Sequence, residues 1–210
     1  MLQSCISRLR SRFAVSSHMP GPWQSVENRV PAPQFSPDVW ILGSSPYSAQ
    51  LAAKLGWPYA FALQFGDADV ITALRMYREN FQPSEYLAEP YTLVSIGVVA
   101  HDDAQEAYRQ ALTAAMAMLR MFKRESYSLL PPEEVENYVS SLNERQVLEV
   151  YTQRFVNGTG EDVAASLDRL YEQTQADEIM LVTMGSLGAV HVRTIELIAQ
   201  YYGLRAGVVH

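Results

Sequence analysis

From residue 37 onward, short apolar runs alternate with stretches whose apolar residues recur every three to four positions. PDVWILG (37–43) reads as a short buried strand ending at Gly43. SPYSAQLAAKLG then reads as a helix, with Pro46 in its first turn and Gly56 just past its end. WPYAFAL is a second apolar strand, and Val70, Ala73, Leu74, Met76 and Tyr77 form the stripe of a second helix. YTLVSIGVVA (91–100) is the clearest strand, followed by a long helix whose start carries Asp103 and Glu106. PPEEVENYVSSLNERQVLEVYTQRF is predominantly helical in pattern, and GTGEDVAASLDRLYEQT predicts a further helix. DEIMLVTMG is the last strand, and HVRTIELIAQYYG closes the pattern as a helix ending at Gly203.

Strands separated by helices run parallel, because each crossover returns the chain to the same edge of the sheet. The strands show little alternation, as expected when both faces are covered. The pattern therefore predicts an α/β protein with four parallel strands, compatible with an open sheet or with part of a barrel.

Composition narrows the function. At 210 residues the chain is one ordinary domain with or without a tail, and its net charge of -7 argues against a nucleic-acid partner. No apolar run is long enough to span a membrane. The single cysteine, Cys5, excludes an internal disulfide framework and fits a reducing, cytoplasmic setting. His18, His101, His191 and His210 are far apart and form no ligand-spaced pair, so no metal site is expected. Residues 1–36 read as an irregular segment. The first 26 residues contain Arg8, Arg10 and Arg12 but no acid, which fits either a ragged start or an organellar transit peptide.

The turn GSSPYSAQ (43–50) joins a strand to a helix start. Gly43 allows close backbone approach, Ser44 and Ser45 carry hydroxyls, and the free N–H groups of a helix start favour an anion. Ser45 is equally suited to be a helix cap, worth about 1 kcal/mol, and one terminus can serve both purposes.

Three segments, VWILGSSPYSAQLAAKLGWPYAFA, FQPSEYLAEPYTLVSIGVVAHDDAQEA and GTGEDVAASLDRLYEQTQADEIMLVT, resemble the bacterial luciferase-like flavin monooxygenases. The resemblance covers roughly residues 30 to 203 and defines a domain at 37–205. It implies a (β/α)8 TIM barrel whose working face lies at the carboxyl ends of the strands. The chain would hold strands five to eight and lack the amino-terminal half, since one βα unit alone needs about 30 residues. The resemblance further implies reduced FMN (with F420 the second choice), O2 and a small organic substrate. It assigns the FMN phosphate to Gly43, Ser44 and Ser45, with Ser48 one turn inside the helix. A half barrel leaves two parallel edges and an apolar inner face open. A homo-oligomer, or a second chain supplying the other strands, is therefore expected. An alternative is a non-catalytic flavin-binding or oligomerising remnant of such a barrel, active only with a partner chain.

No catalytic nucleophile is expected. Ser44 and Ser45 have no nearby histidine, and GSSPYS is not the G-x-S-x-G elbow of hydrolases. GTG (158–160) precedes a helix without a strand before it, which makes a poor dinucleotide fingerprint. Thr183, Met184 and Gly185 end the last strand and can border a ligand. Tyr59, Phe61 and Phe65 are candidates for a hydrophobic pocket, although aromatics beside a strand are commonly core. His191 and Arg193 lie on the closing helix and carry no assigned role. The stripe Met116, Leu119, Met121 and Phe122 reads as packing. Glu133, Glu134 and Glu136 complement a helix dipole without needing a partner.

Overall fold

The computed structural model describes residues 39–66, 68–125, 129–138, 142–186 and 188–204. Cys5, the segment 1–36 and its two alternative readings lie outside these residues.

Five parallel strands form one sheet: β1 (Ile41–Gly43), β2 (Tyr59–Ala62), β3 (Thr92–Ala100), β4 (Phe155–Gly158) and β5 (Glu178–Thr183). The helices are α1 (Pro46–Leu55), α2 (Val70–Glu79), α3 (Ala104–Phe122), α4 (Pro132–Tyr138), α5 (Leu142–Thr152), α6 (Gly160–Thr174) and α7 (Gly188–Tyr201). A short 3-10 turn, Leu63–Phe65, follows β2.

β3 is the axis of the sheet, buried at all nine positions. β5 lies along one of its edges, pairing Leu93↔Glu178 through Val98↔Thr183. The other edge is shared. β2 pairs with Thr92 to Ser95, and β4 takes over from Gly97 to Ala100. β1 pairs with β2, so the outer edges of β1 and β5 have no strand beside them among the described residues.

β4 corrects the expectation of four strands. FVNG is too short and too polar to show a period, and it adjoins a stretch of good helix formers. Only its pairing with the carboxyl half of β3 makes it a strand. GTG therefore does follow a strand, contrary to the reading above. The helical stretch before it divides into α4 and α5, with residues 139–141 outside the described set.

Alternation along the strands separates two faces. Tyr59, Phe61, Val94, Ile96, Val98 and Ala100 face α1, α2, α6 and α7, where they meet Ala52, Leu74, Tyr77, Val163, Leu167 and Ile198 in the main core. The opposite face carries Ala60, Ala62, Leu93, Ser95 and Gly97. α3 covers part of it through a smaller core of Met116, Met118, Val135, Leu148 and Phe155.

The amino end of the sheet is tied by polar contacts. Arg78 donates to the carbonyls of Thr174 at 2.8 Å and Gln175 at 2.7 Å. Asp177 accepts from the N–H and hydroxyl of Thr92, both at 2.8 Å. No described helix is long and apolar enough to cross a membrane.

Candidate functional site

The less covered face of the sheet carries a cavity of about 810 Å³. Its floor is Ala60, Ala62, Leu93 and Ser95, and its sides include Leu42, Met118, Met121, Met180, Val182 and Met184. Trp40 and Glu178 lie at the amino end, Gln64 and Phe65 at the carboxyl end. Small residues on β2 make the space, and long flexible ones line its sides. Leu42 is 67% exposed and Met180 51%, an unusual condition for large apolar residues on a sheet.

Beside the cavity, β1 ends at Gly43 and α1 begins. Ser45 is the N-cap, and Ser45 and Ser48 form a reciprocal capping box. The cap bonds are long: Ser48 N–H donates to Ser45 Oγ at 3.4 Å, and Ser45 N–H to Ser48 Oγ at 3.3 Å. The Ser48 hydroxyl is committed inward, donating to the Ser45 carbonyl at 2.7 Å and meeting the Tyr59 hydroxyl at 3.0 Å. Burial raises the Tyr59 pKa, against the lowering effect of its bond to Ser48, so this hydroxyl stays protonated.

Gly43 has a local explanation, since a β-carbon there would run into the Cβ and Oγ of Ser48. Ser44 packs against Gly66, where a β-carbon would come within 2.6 Å of the Ser44 Cβ. Pro46 has no N–H to offer, and the Tyr47 N–H has no acceptor among the described residues. The first turn of α1 holds no acidic residue. The structure thus sets Gly43, Ser44 and Ser45 directly after the cavity residue Leu42, with Ser48 bonded back to Ser45, and none of these four residues lines the cavity itself.

The start of α6 has similar parts and a different filling. Thr159 caps it, and Asp162 accepts from the Thr159 hydroxyl at 2.6 Å and its N–H at 3.0 Å. These bonds hold the Asp162 carboxyl below the usual carboxylate range. The terminus is already filled by an anion of its own, so the GTG turn has no vacancy for a phosphate.

The aromatic candidates divide. Tyr59 and Phe61 belong to the main core, whereas Phe65 borders the cavity. Their alternation along β2 separates these roles, with Gln64 and Phe65 set apart by the 3-10 turn. Met184 lines the cavity, while the Thr183 hydroxyl lies 2.9 Å from His191 Nδ1. Arg193 pairs with Asp102 at 2.6 Å. In the α3 stripe Met116 and Leu119 are buried, whereas Met121 borders the cavity and Phe122 is exposed. Glu133 and Glu136 do have a partner, Arg109, which also bonds Glu106. Among the described residues no group of three or more His, Cys, Asp or Glu is placed to hold a metal.

Gln64 and Ser95 carried no signal in the sequence. Both are polar, 4% and 5% exposed, and line an otherwise apolar wall.

A family model described as luciferase-like monooxygenase matches residues 18–178. The chain is 34% identical over 197 residues to the uncharacterized protein YvbT of Bacillus subtilis, covering 94% of this chain and 57% of that protein. It is 37% identical over 144 residues to a luciferase-like monooxygenase of Escherichia coli K12, covering 68% of this chain and 43% of that one. Among solved structures, apo-MsnO8 superposes with a TM-score of 0.70 at 25% identity, covering 98% of this chain and 59% of that chain. The chain therefore spans about half the length of these relatives.

Proposed function

We propose, for a chain that belongs to the luciferase-like monooxygenase family, that it binds FMN across the carboxyl end of the sheet. The phosphate would rest on Gly43, Ser44 and Ser45 at the start of α1, and the flavin ring along the apolar cavity. The activity served is an O2-dependent oxidation of a small organic substrate by reduced FMN.

The observation that supports this most is continuity between the two parts. Leu42 lines the cavity, and the next residue opens the turn. On the other side Ser44 packs on Gly66, directly after the cavity residues Gln64 and Phe65. An anion seat and an apolar trough share one wall, which suits a ligand with a charged tail and a flat apolar head.

The turn is suited to exchange its own weak bonds for a phosphate. Its cap bonds exceed the usual 2.7–3.2 Å range, and the first turn of α1 holds no acidic residue. Ser44 and Ser45 would donate through their hydroxyls and Tyr47 through its N–H. Ser48 and Tyr59 would hold the turn from behind. A serine-lined seat without added basic residues favours FMN over F420.

Reduced FMN, when bound, supplies the oxygen chemistry, so this chain's residues need bind and orient rather than act as nucleophiles. Small residues on the sheet leave room for the ring, and the methionines that line the cavity would pack against it.

The open edges of β1 and β5, and the shortfall against the relatives' lengths, favour completion of the sheet by further βα units. A second copy or another chain would supply them. Without that closure the chain binds flavin but does not turn over, which is the second reading.

Titration of the purified chain with FMN, followed by flavin fluorescence, tests the seat. Saturable quenching is expected, weakened at least about tenfold in Ser44→Ala/Ser45→Ala, because bonds to a charged group are worth about 1.5–3 kcal/mol each. No saturable binding by folded protein, or equal binding by the variant, would reject it.

A further inference from the structure

The cavity lining includes an amide, that of Gln64, whose nitrogen has no hydrogen-bond partner among the described residues. The Gln64 side chain is held by its oxygen, since the Ser95 hydroxyl donates to Oε1 at 3.3 Å. That long bond uses the only hydrogen of Ser95 and places Nε2 on the far side of the amide. Nε2 has no acceptor among the described residues. Nε2 is not among the fully buried side-chain atoms without a hydrogen-bond partner, so it keeps some access to open space, and Gln64 lines the cavity.

A side chain 96% buried with a free N–H pair is costly unless something accepts from it. The remaining lining restricts what that acceptor can be. Among the described residues no cation borders the cavity, and Glu178 at its amino end, bonded to Tyr91 Oη at 2.8 Å, disfavours an anion there. The other walls are aliphatic, thioether or aromatic.

We propose that Gln64 is a positioning residue which donates from Nε2 to a carbonyl-type oxygen on an uncharged, apolar-bodied ligand lying on the sheet, with Ser95 holding the amide in register. This rests on the reading of this face as the ligand-binding face, but not on which molecule brings the oxygen, the flavin ring or the substrate.

The test uses two probes of one shape, cyclododecanone and methylenecyclododecane, which differ in a carbonyl oxygen against a methylene. Their binding is measured by calorimetry on the full chain. Gln64→Met is expected to weaken the ketone about fivefold, the value of one hydrogen bond, and to leave the hydrocarbon unchanged. Ser95→Ala, which keeps the amide but releases its oxygen, is expected to lose part of the preference for the ketone. Equal weakening of both probes, no weakening of either, or no binding of either by the unaltered chain overturns the proposal.

FMN then identifies the source of the oxygen. If FMN displaces the ketone and is itself weakened about fivefold by Gln64→Met, the flavin supplies it; if FMN and ketone bind together, the substrate does. Ser44→Ala/Ser45→Ala should leave ketone binding intact, so failure of the phosphate seat and failure of the Gln64 contact are read separately.

Discussion

The starts of α1 and α6 are built from matching parts. Each follows a strand that ends in glycine, Gly43 or Gly158, and each has a hydroxyl cap, Ser45 or Thr159. Each closes a capping box with the third residue of the helix, Ser48 or Asp162. In both, the glycine leaves room for that third residue's side chain. They differ in what fills the box. At α6 a carboxylate makes bonds of 2.6 and 3.0 Å. At α1 the Ser48 hydroxyl stands 3.3 Å from the Ser45 nitrogen and 3.4 Å from the Ser45 hydroxyl, and its short bond, 2.7 Å, goes to the Ser45 carbonyl instead. On the proposed reading, the same local geometry is self-contained where the chain supplies its own anion and receptive where it supplies only hydroxyls. On that reading a strand-glycine-helix signature does not by itself mark a phosphate site, and the charge at the third helical position separates the two starts.

The largest effects should come from the glycines. Gly158 has φ +148 and an added Cβ would lie 2.8 Å from Asp162 Cβ. Gly158→Ala should cost about 3 kcal/mol, combining backbone strain with overpacking. Gly43→Ala should cost about 2 kcal/mol through overpacking against Ser48 alone. Urea denaturation reads both, and a neutral Gly43→Ala would show that the turn yields more than its contacts suggest.

Exchanging the fillings sharpens the comparison. Ser48→Asp copies the carboxylate of α6 into α1 and should lower FMN affinity about tenfold or more, since like charges near one another repel even in a high effective dielectric. An unchanged affinity in folded Ser48→Asp protein would remove the phosphate from this terminus.

Acid should separate the two starts with the smallest effect. Hydrogen bonds from Thr159, side chain first and then backbone, depress the Asp162 pKa. A depressed carboxyl contributes stability above its unfolded value, about 4, and loses it as pH falls through the lower folded value. Hydrogen exchange from pH 6 toward pH 3 (about that range) should show α6 amides losing protection before those of α1, whose box has no titrating group. Asp162→Asn should abolish the difference. Simultaneous loss in both helices would mean that acid acts through global unfolding.

Much of the architecture was legible because it depends on local pattern. Gly43, Pro46 and Gly56 punctuated α1, and the stripe Val70, Ala73, Leu74 and Tyr77 marked α2. β4 was not legible, because four residues carry no period and only the free half-edge of β3 makes them a strand. In the candidate site, GSSPYS stood out through its residue types. Gln64 and Ser95 did not, because they meet only when β2 and β3 pair in register, Ala62 beside Ser95.

The sequence by itself determined the alternation of strands and helices, their parallel sense, the helix start at Ser45 and the family, since each follows from near-neighbour chemistry or from motif order. The tertiary structure alone decided three things: that β2 and β4 divide one edge of β3, that Tyr59 and Phe61 are core while Phe65 borders a cavity, and that Gln64 and Ser95 meet in the wall of that cavity. Each depends on which residues distant in the chain lie side by side, and sheet register sets that rather than any local preference.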